Sequence, residues 1–202
     1  MTGSGTSGGP GATAGLILAA GQSRRMGSPK ALLRYRDESF LDTLIGLLGR
    51  VCSPVIVVLG AAADRIQAQA RRPALFVRND RYLCGQTSSM QSGLRAVPPE
   101  AGGVLFTLVD HPAVSAATLD RLLAPAGAAL LRVPRYRGAN GHPIWFSRGL
   151  IAAFLALPED GAARDLVRAH AAETAFLDLD DPGVAADIDD PEQYARLVGA
   201  PV

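Results

Sequence analysis

Short, continuous apolar runs alternate with stretches of helical periodicity along most of this 202-residue chain. Residues 14–20 read AGLILAA, 54–59 PVIVVL and 103–109 GVLFTLV. As strands, such runs have no polar face to turn toward water, so both faces must be covered. Between them, 40–50, 61–70, 87–96 and 115–123 carry apolar residues at helical spacing. Further strands are expected at 74–77, 128–133, 143–146 and 174–177. Further helices are expected at 150–157, 162–171 and 191–198, the last opened by Pro191. Strands and helices in this order build a single α/β domain, a mostly parallel mixed sheet between two helical layers, over residues 13–202.

Composition removes several function classes. Lys and Arg total 20 and Asp and Glu 19. A net charge of +1 argues against a nucleic-acid partner, which calls for a strong basic excess. Two cysteines, Cys52 and Cys84, and three histidines leave no Cys-rich zinc site or disulfide framework, and they fit a reducing, cytoplasmic setting. No apolar run approaches the roughly 18 residues of a membrane helix, so no membrane partner is expected. Residues 1–12 are almost entirely Gly, Ser, Thr and Pro and read as a disordered leader. Gly3, Gly5 and Gly8 match a dinucleotide fingerprint in form, but no strand precedes them.

The loop after the first strand reads Gly21-Gln22-Ser23-Arg24-Arg25-Met26-Gly27-Ser28-Pro29-Lys30. In open α/β sheets ligands bind outside the carboxyl ends of strands, so this is the place to look. Glycines expose backbone N–H groups to a phosphate, and Arg and Lys supply charge. Capture of a nucleoside triphosphate tail follows. The spacing fits neither a P-loop, a three-glycine dinucleotide loop nor a hydrolase elbow. The plain alternative is a surface loop with solvated charges.

Further segments extend the pattern. Leu18-Ala19-Ala20-Gly21-x-Ser23-x-Arg25-Met26-Gly27-x-Pro29-Lys30 is followed by Asn79 with Gly85-x-x-Ser88-Ser89-Met90. Then come Val109-Asp110-His111-Pro112, Gly141-His142-Pro143 and Asp187-Ile188-Asp189-Asp190-Pro191-Glu192. In this order they resemble the MobA/MocA-like nucleotidyltransferases, covering residues 14–198. The closing motif departs at Asp190, where the family usually carries Thr. The resemblance implies a Rossmann-like nucleotide-diphospho-sugar transferase fold. It also implies transfer of a nucleoside monophosphate to a phosphorylated acceptor with release of pyrophosphate.

Role by role, the resemblance makes Arg25, Lys30 and Asp110 catalytic. Leu18, Ala19, Ala20, Gly21, Ser23, Arg24, Gly27, Asn79, Gly85, Ser88 and Ser89 would bind nucleotide, and Gly141, His142 and Pro143 the acceptor. Asp110 and Asp189 would hold Mg2+, with Asp187 in reserve. Each residue also has a plain reading. Asp110 is otherwise a turn residue before Pro112. Asp187, Asp189 and Asp190 are otherwise acids complementing a helix start, and Asp190, directly before Pro191, is expected to cap it. Arg24 beside Arg25 is expected to be the solvated one. Ser88 and Ser89 serve equally as helix caps, and Asn79 as a turn residue. His142 is either a general base or a positioner of the acceptor phosphate. His111, His170, Cys52 and Cys84 read as incidental, and Trp145 and Phe146 as strand core.

Leu-Ala-Ala-Gly at 18–21 and Gly-His-Pro at 141–143 resemble the cytidylyltransferase branch. That branch implies CTP as donor and molybdopterin, a phosphorylated pterin, as acceptor. A molybdenum hydroxylase or its maturation factor would then be a partner. The alternatives are a GTP-using guanylyltransferase, a sugar- or polyol-phosphate cytidylyltransferase, a nucleotide-binding accessory protein without turnover, and an NAD-dependent reductase.

Overall fold

The computed structural model describes residues 12–125, 127–158 and 161–199. The expected leader therefore lies outside the described residues except at Ala12. Strand β1 (Thr13–Ala19) is followed by a small hairpin of β2 (Arg34–Tyr35) and β3 (Glu38–Ser39), then α1 (Phe40–Leu48). Next come β4 (Val55–Leu59), α2 (Ala63–Gln69), β5 (Leu75–Arg78), α3 (Gln86–Leu94), β6 (Gly103–Leu108) and α4 (Ala116–Leu123). The second half holds β7 (Leu131–Tyr136), β8 (Ala139–Asn140), β9 (Ile144–Ser147), α5 (Ile151–Leu155), α6 (Ala163–Ala169), β10 (Thr174–Asp178) and α7 (Pro191–Val198).

The main sheet runs β10-β7-β9-β6-β1-β4-β5, with β8 paired to β7. β1 pairs in parallel with both β4 and β6, β4 with β5 and β10 with β7, while β9 is antiparallel to β6 and β7. This is the mostly parallel mixed sheet expected. The twofold alternation of a strand divides the core. Ile17 and Ala19 of β1 face one layer with Leu44 and Leu48 of α1 and Ile66 of α2. Leu16 and Leu18 face the other with Met90 and Leu94 of α3 and Phe154 of α5. Trp145 and Phe146 of β9 are buried on opposite faces, as strand core should be.

Helix starts follow local chemistry. Ser39 caps α1 by accepting from the Asp42 N–H, and Ser115 caps α4 by accepting from the Thr118 N–H. Asp190 caps α7 in a reciprocal box with Gln193, behind Pro191 at the first helical position.

Two departures from the sequence expectation matter. β7 was expected to end at Val133 but continues through Pro134 to Tyr136. Pro134 has no N–H to give, yet its carbonyl still accepts from the Gly141 N–H, which holds β8 and the loop after it against the strand. The β2–β3 hairpin was not expected; each of its strands has two residues, too few for alternation to show. Among the described residues, no helix is long and apolar enough to cross a membrane.

The strand order places the site. From β1 the chain moves outward through β4 and β5, then returns to β6 on the other side of β1. The order reverses between β1 and β6, and the crevice outside their carboxyl ends is where such sheets bind ligands. The loop from Ala20 to Lys30 and the turn at Asp110 meet there.

Candidate active site

The loop after β1 is shaped by its own residues. Ser23 sits in the left-handed region at φ 49° and Gly27 at φ 64°, on either side of a single 3-10 turn, Arg24–Met26. Ser23 Oγ accepts from the Lys30 N–H at 3.0 Å, closing the loop on itself. The result is a cleft of about 450 Å3 bordered by Leu18, Ala19, Ala20, Gly21 and Ser23 on one side. Arg24, Arg25 and Lys30 supply its cationic rim.

Lys30 lies at the centre of the charge arrangement. Its Nζ donates to Asp110 Oδ2 at 3.0 Å and to Asp189 Oδ1. Arg25 stands 3.7 Å from the other oxygen of Asp189. Burial opposes the charged form of Lys30, but the hydrogen bonds and fields of Asp189 and Asp110 outweigh it and hold its pKa above the ordinary lysine value. The Lys30 hydrogen bond correspondingly holds the Asp189 carboxyl below the usual range, although partial burial works the other way.

Main-chain pairing brings the two acids together: the Ile188 N–H donates to the Asp110 carbonyl at 3.0 Å. Ile188 is buried, so its neighbours Asp187 and Asp189 flank an anchored residue. Asp189 lines the cleft with Asp110, whereas Asp187 is exposed and does not border it.

These carboxylates suit a hard divalent cation. Asp110 Oδ1 is buried and has no hydrogen-bond partner among the described residues, an orphaned anionic oxygen, while Oδ2 of the same carboxylate meets Lys30 beside Asp189. Among the described residues, no cluster of three or more His, Cys, Asp or Glu side chains forms a closed metal cage. Two carboxylates are what Mg2+ or Mn2+ takes from a protein when phosphate oxygens and water complete its octahedron.

The second nucleotide segment divides into cleft wall and support. Gly85 and Ser89 border the cleft. Asn79 is buried behind it: its Nδ2 donates to Ser88 Oγ at 3.0 Å and Ser89 Oγ at 2.9 Å, and its Oδ1 accepts from the Arg81 N–H. Ser88 Oγ lies within bonding reach of the Arg81 and Gly85 carbonyls. Asn79 and Ser88 thus tie the loop ahead of α3 to its first turn, and neither borders the cleft; Gly27 also stands outside it, as the turn of its loop. Gln22, Ile66, Tyr82 and Gln86 border the cleft and were not singled out in the sequence. Gln86 follows the recognised Gly85 directly and was findable; Ile66 and Tyr82 arrive only through tertiary packing.

Gly141 and His142 line a second cavity of about 590 Å3 that shares Gly85, Gln86 and Leu108 with the cleft. Its floor is apolar, with Phe106, Phe146 and Phe154. Pro143 follows a cis peptide bond and is buried just outside the lining. A Cβ at Gly141 would collide with the Val184 carbonyl, and the His142 N–H donates to that same carbonyl at 2.9 Å, so the segment after β10 grips the 141–143 loop. The His142 ring packs edge-on against Phe106 at 5.4 Å and against His111 at 4.9 Å between centroids. Burial, then the neighbouring His111, pushes His142 down to about 3, so the imidazole is neutral. Burial also lowers His111, whose Nε2 lies 3.8 Å from Asp110 Oδ1. His111, read as incidental, is therefore the packing link between the Asp110 turn and the second cavity.

Of the other residues set aside, Cys52 is buried, which pushes its thiol up to about 12, and His170 Nδ1 contacts Glu173 on the surface. Cys84 is exposed and borders the second cavity.

Comparison with known proteins agrees with this geometry. The MobA-like NTP transferase domain matches residues 15–174. The chain is 33% identical over 196 residues to nicotine blue oxidoreductase of Paenarthrobacter nicotinovorans, covering 91% of this chain and 95% of that one. It is 26% identical over 183 residues to the molybdenum cofactor cytidylyltransferase of Escherichia coli, covering 89% and 92%. The crystal structure of Rv0371c from Mycobacterium tuberculosis superposes with a TM-score of 0.79 at 32% identity, covering 94% of this chain and 99% of that one. Rv0371c has also been solved in complex with manganese, at a TM-score of 0.78, 31% identity and coverage of 94% and 100%. With the domain match, the full-length likeness and a phosphate-suited cleft at the sheet's reversal point, the chain belongs to the MobA-like NTP transferase family, a family of nucleotidyltransferases.

Proposed function

We propose that the protein transfers CMP from CTP to the phosphate of molybdopterin, releasing pyrophosphate. The observation that carries the reading is the convergence of Lys30, Asp110 and Asp189 on one corner of a cleft that opens into a second, apolar cavity. The cleft takes the triphosphate and nucleoside; the cavity, floored by phenylalanines, takes a planar fused ring. Their shared wall at Gly85, Gln86 and Leu108 is where an acceptor phosphate meets the α-phosphate.

The step is an in-line displacement. An acceptor phosphate oxygen forms a bond to the α-phosphorus, the bond to the bridging oxygen breaks, and its electron pair leaves with pyrophosphate. Both partners are anionic, so catalysis consists of holding them together against repulsion. Lys30 and Arg25 neutralise the triphosphate, and N–H groups of the Gly21 loop orient it. Asp110 and Asp189 would hold Mg2+, which supplies Lewis-acid polarisation of the α-phosphate when bound. Asn79 and Ser88 keep the Gly85–Ser89 wall in place, and Gly141, His142 and Pro143 shape the acceptor side.

Leu-Ala-Ala-Gly at 18–21 favours CTP over GTP, and the similarity to a molybdenum cofactor cytidylyltransferase supports the acceptor. The relative named nicotine blue oxidoreductase bears a name from another reaction class. The loop after β1 favours nucleotidyl transfer here, because it pairs glycine with Arg25 and Lys30 and lacks the three-glycine spacing of a dinucleotide loop. Incubation of the protein with molybdopterin, Mg2+ and CTP labelled on its α-phosphate tests the reading. Label should appear in a pterin–cytosine dinucleotide. Label remaining in CTP, with an active control enzyme alongside, would overturn the acceptor and donor assignment.

A further inference from the structure

Lys30, Arg25 and the N–H groups of the Gly21 loop serve the phosphates, and the second cavity serves the acceptor. The flat face of a nucleobase has no partner among these groups. Among the described residues bordering the cleft, Tyr82 is the one aromatic side chain. It stays out of the second cavity, although Gly85 and Gln86 close by in the chain border both. Phe106, Phe146 and Phe154 of that cavity stay out of the cleft in turn. Each side thus has its own aromatic surface, and Tyr82 belongs to the cleft alone.

Strand order sets Tyr82 apart from the charged corner. The parallel strands β6, β1, β4 and β5 stand in that order, with their carboxyl ends in a row. Asp110 follows β6, the loop to Lys30 follows β1, and Tyr82 follows β5. β6 and β5 are three strand spacings apart, about 14 Å, which leaves room for a ribose and base beyond the phosphates. Tyr82 is also firmly seated. Its N–H donates to the Asn79 carbonyl at 3.3 Å, and its carbonyl accepts from the Gly85 N–H at 3.3 Å. A Cβ at Gly60 would lie 2.6 Å from the Tyr82 Cβ and 2.7 Å from the Ala20 carbonyl, so the tyrosine stem rests on bare backbone at the end of β4. An aromatic ring held this way is preorganised, and a ligand loses little in ordering it.

We infer that Tyr82 is the platform on which the donor's nucleobase stacks, a binding residue of the transfer reaction. Every base presents a π-face, and stacking on an aromatic side chain strengthens binding by about tenfold or more. A nucleotide held by Lys30 at its phosphates and by Tyr82 at its base is fixed at both ends. That keeps the α-phosphate at the wall shared with the second cavity, where the acceptor attacks. The inference rests on the reading of the cleft as the donor site of a nucleotidyltransferase.

Calorimetry with CTP and with inorganic tripolyphosphate, each in the presence of Mg2+, separates base from phosphates without turnover. The full-length protein is compared with Tyr82→Leu, which keeps an apolar stem on Gly60 but has no ring, and with Tyr82→Phe. Tyr82→Leu should weaken CTP binding about tenfold and leave tripolyphosphate binding within a factor of about two, which also reports that the variant is folded. Tyr82→Phe should recover most of the lost CTP affinity, because stacking uses the ring and not the hydroxyl. CTP affinity unchanged in Tyr82→Leu, an equal loss for both ligands, or a phenylalanine variant as weak as the leucine one would overturn the platform. So would wild-type protein that binds CTP no more tightly than tripolyphosphate. Wild-type protein that binds neither would instead overturn the nucleotidyltransferase reading beneath it, so the two failures are told apart.

Discussion

Lys30 Nζ lies 3.0 Å from Asp110 Oδ2, across 80 residues of sequence, and the same ammonium also reaches Asp189. A lysine bridging two carboxylates is a counter-cation seated where a divalent ion would draw its ligands. Lys30 neutralises Asp110 and Asp189, and in the proposed mechanism it would also neutralise phosphate when nucleotide is bound. Lys30→Met should therefore lower turnover on the order of 10²–10³-fold, the scale of losing one charged contact to the reacting group. The same substitution should tighten Mn2+ binding in the absence of nucleotide, because two carboxylates then lack their counter-ion. Mn2+ titration followed by electron paramagnetic resonance checks this; unchanged or weaker binding would contradict it.

Asp189 rather than Asp187 is the second cation ligand in this account, because Asp189 borders the cleft and Asp187 is exposed and does not. Asp110→Asn and Asp189→Asn should each reduce nucleotide-linked Mn2+ affinity and turnover by at least about tenfold. Asp187→Asn should leave both within a factor of about two, as exposed substitutions away from a site do. Calorimetry of Mn2+ binding with CTP present separates the three. A larger loss in Asp187→Asn than in Asp189→Asn would exchange their roles.

Asp181 anchors the segment that carries Asp189. Its carboxylate accepts from the Ser115 N–H at 3.0 Å, the Thr118 hydroxyl and the Gly183 N–H at 2.9 Å. Burial opposes its charge, but these hydrogen bonds prevail and its folded pKa is lowered from 3.8. A carboxylate with a depressed folded pKa contributes stability above its unfolded pKa and loses it as pH falls through the folded value. Asp181→Asn should cost about 1–3 kcal/mol at pH near 7, and the gap to the unsubstituted protein should narrow below about pH 4. Urea unfolding across that range is the measurement. A gap that stayed constant with pH would mean the loss is not electrostatic.

Gly141 leaves no room for a side chain beside the Val184 carbonyl, a backbone atom that cannot swing aside. Gly141→Ala should separate the 141–143 loop from the segment after β10. The expected result is a stability loss of about 1–3 kcal/mol, typical of overpacking. The apparent KM for the acceptor should rise while CTP affinity holds. Steady-state kinetics with each substrate varied in turn shows whether the defect is confined to the acceptor side.

Much of this was legible in the sequence, and the reasons are physical. Uniformly apolar runs gave β1, β4 and β6 because a strand covered on both faces has no other composition available. The loop from Gly21 to Lys30 was legible as a cleft wall because glycines and cations gathered at a strand end are what a phosphate site would use. Asp190 was readable as a cap from Pro191 behind it, and the cap is present. Other roles depend on partners far away in the chain. Asn79 offers the same side chain whether it faces ligand or Ser88 and Ser89, and only the packing of α3 decides. Asp181 closes a run with Asp178 and Asp180, and nothing local marks it as the acid that turns inward to Thr118. The strand expected at 128–133 runs instead from Leu131 through Pro134 to Tyr136, a proline the pairing tolerates because its carbonyl accepts from the Gly141 N–H.

Pyrophosphate release from the purified protein with Mg2+ and molybdopterin, compared across CTP, GTP, ATP and UTP, tests the central claim most directly. The account predicts acceptor-dependent release that is fastest with CTP and that falls on the order of 10²-fold or more in Asp110→Asn. No release with any of the four nucleotides, from protein shown to be folded and beside an active control enzyme, or release indifferent to Asp110, would contradict it.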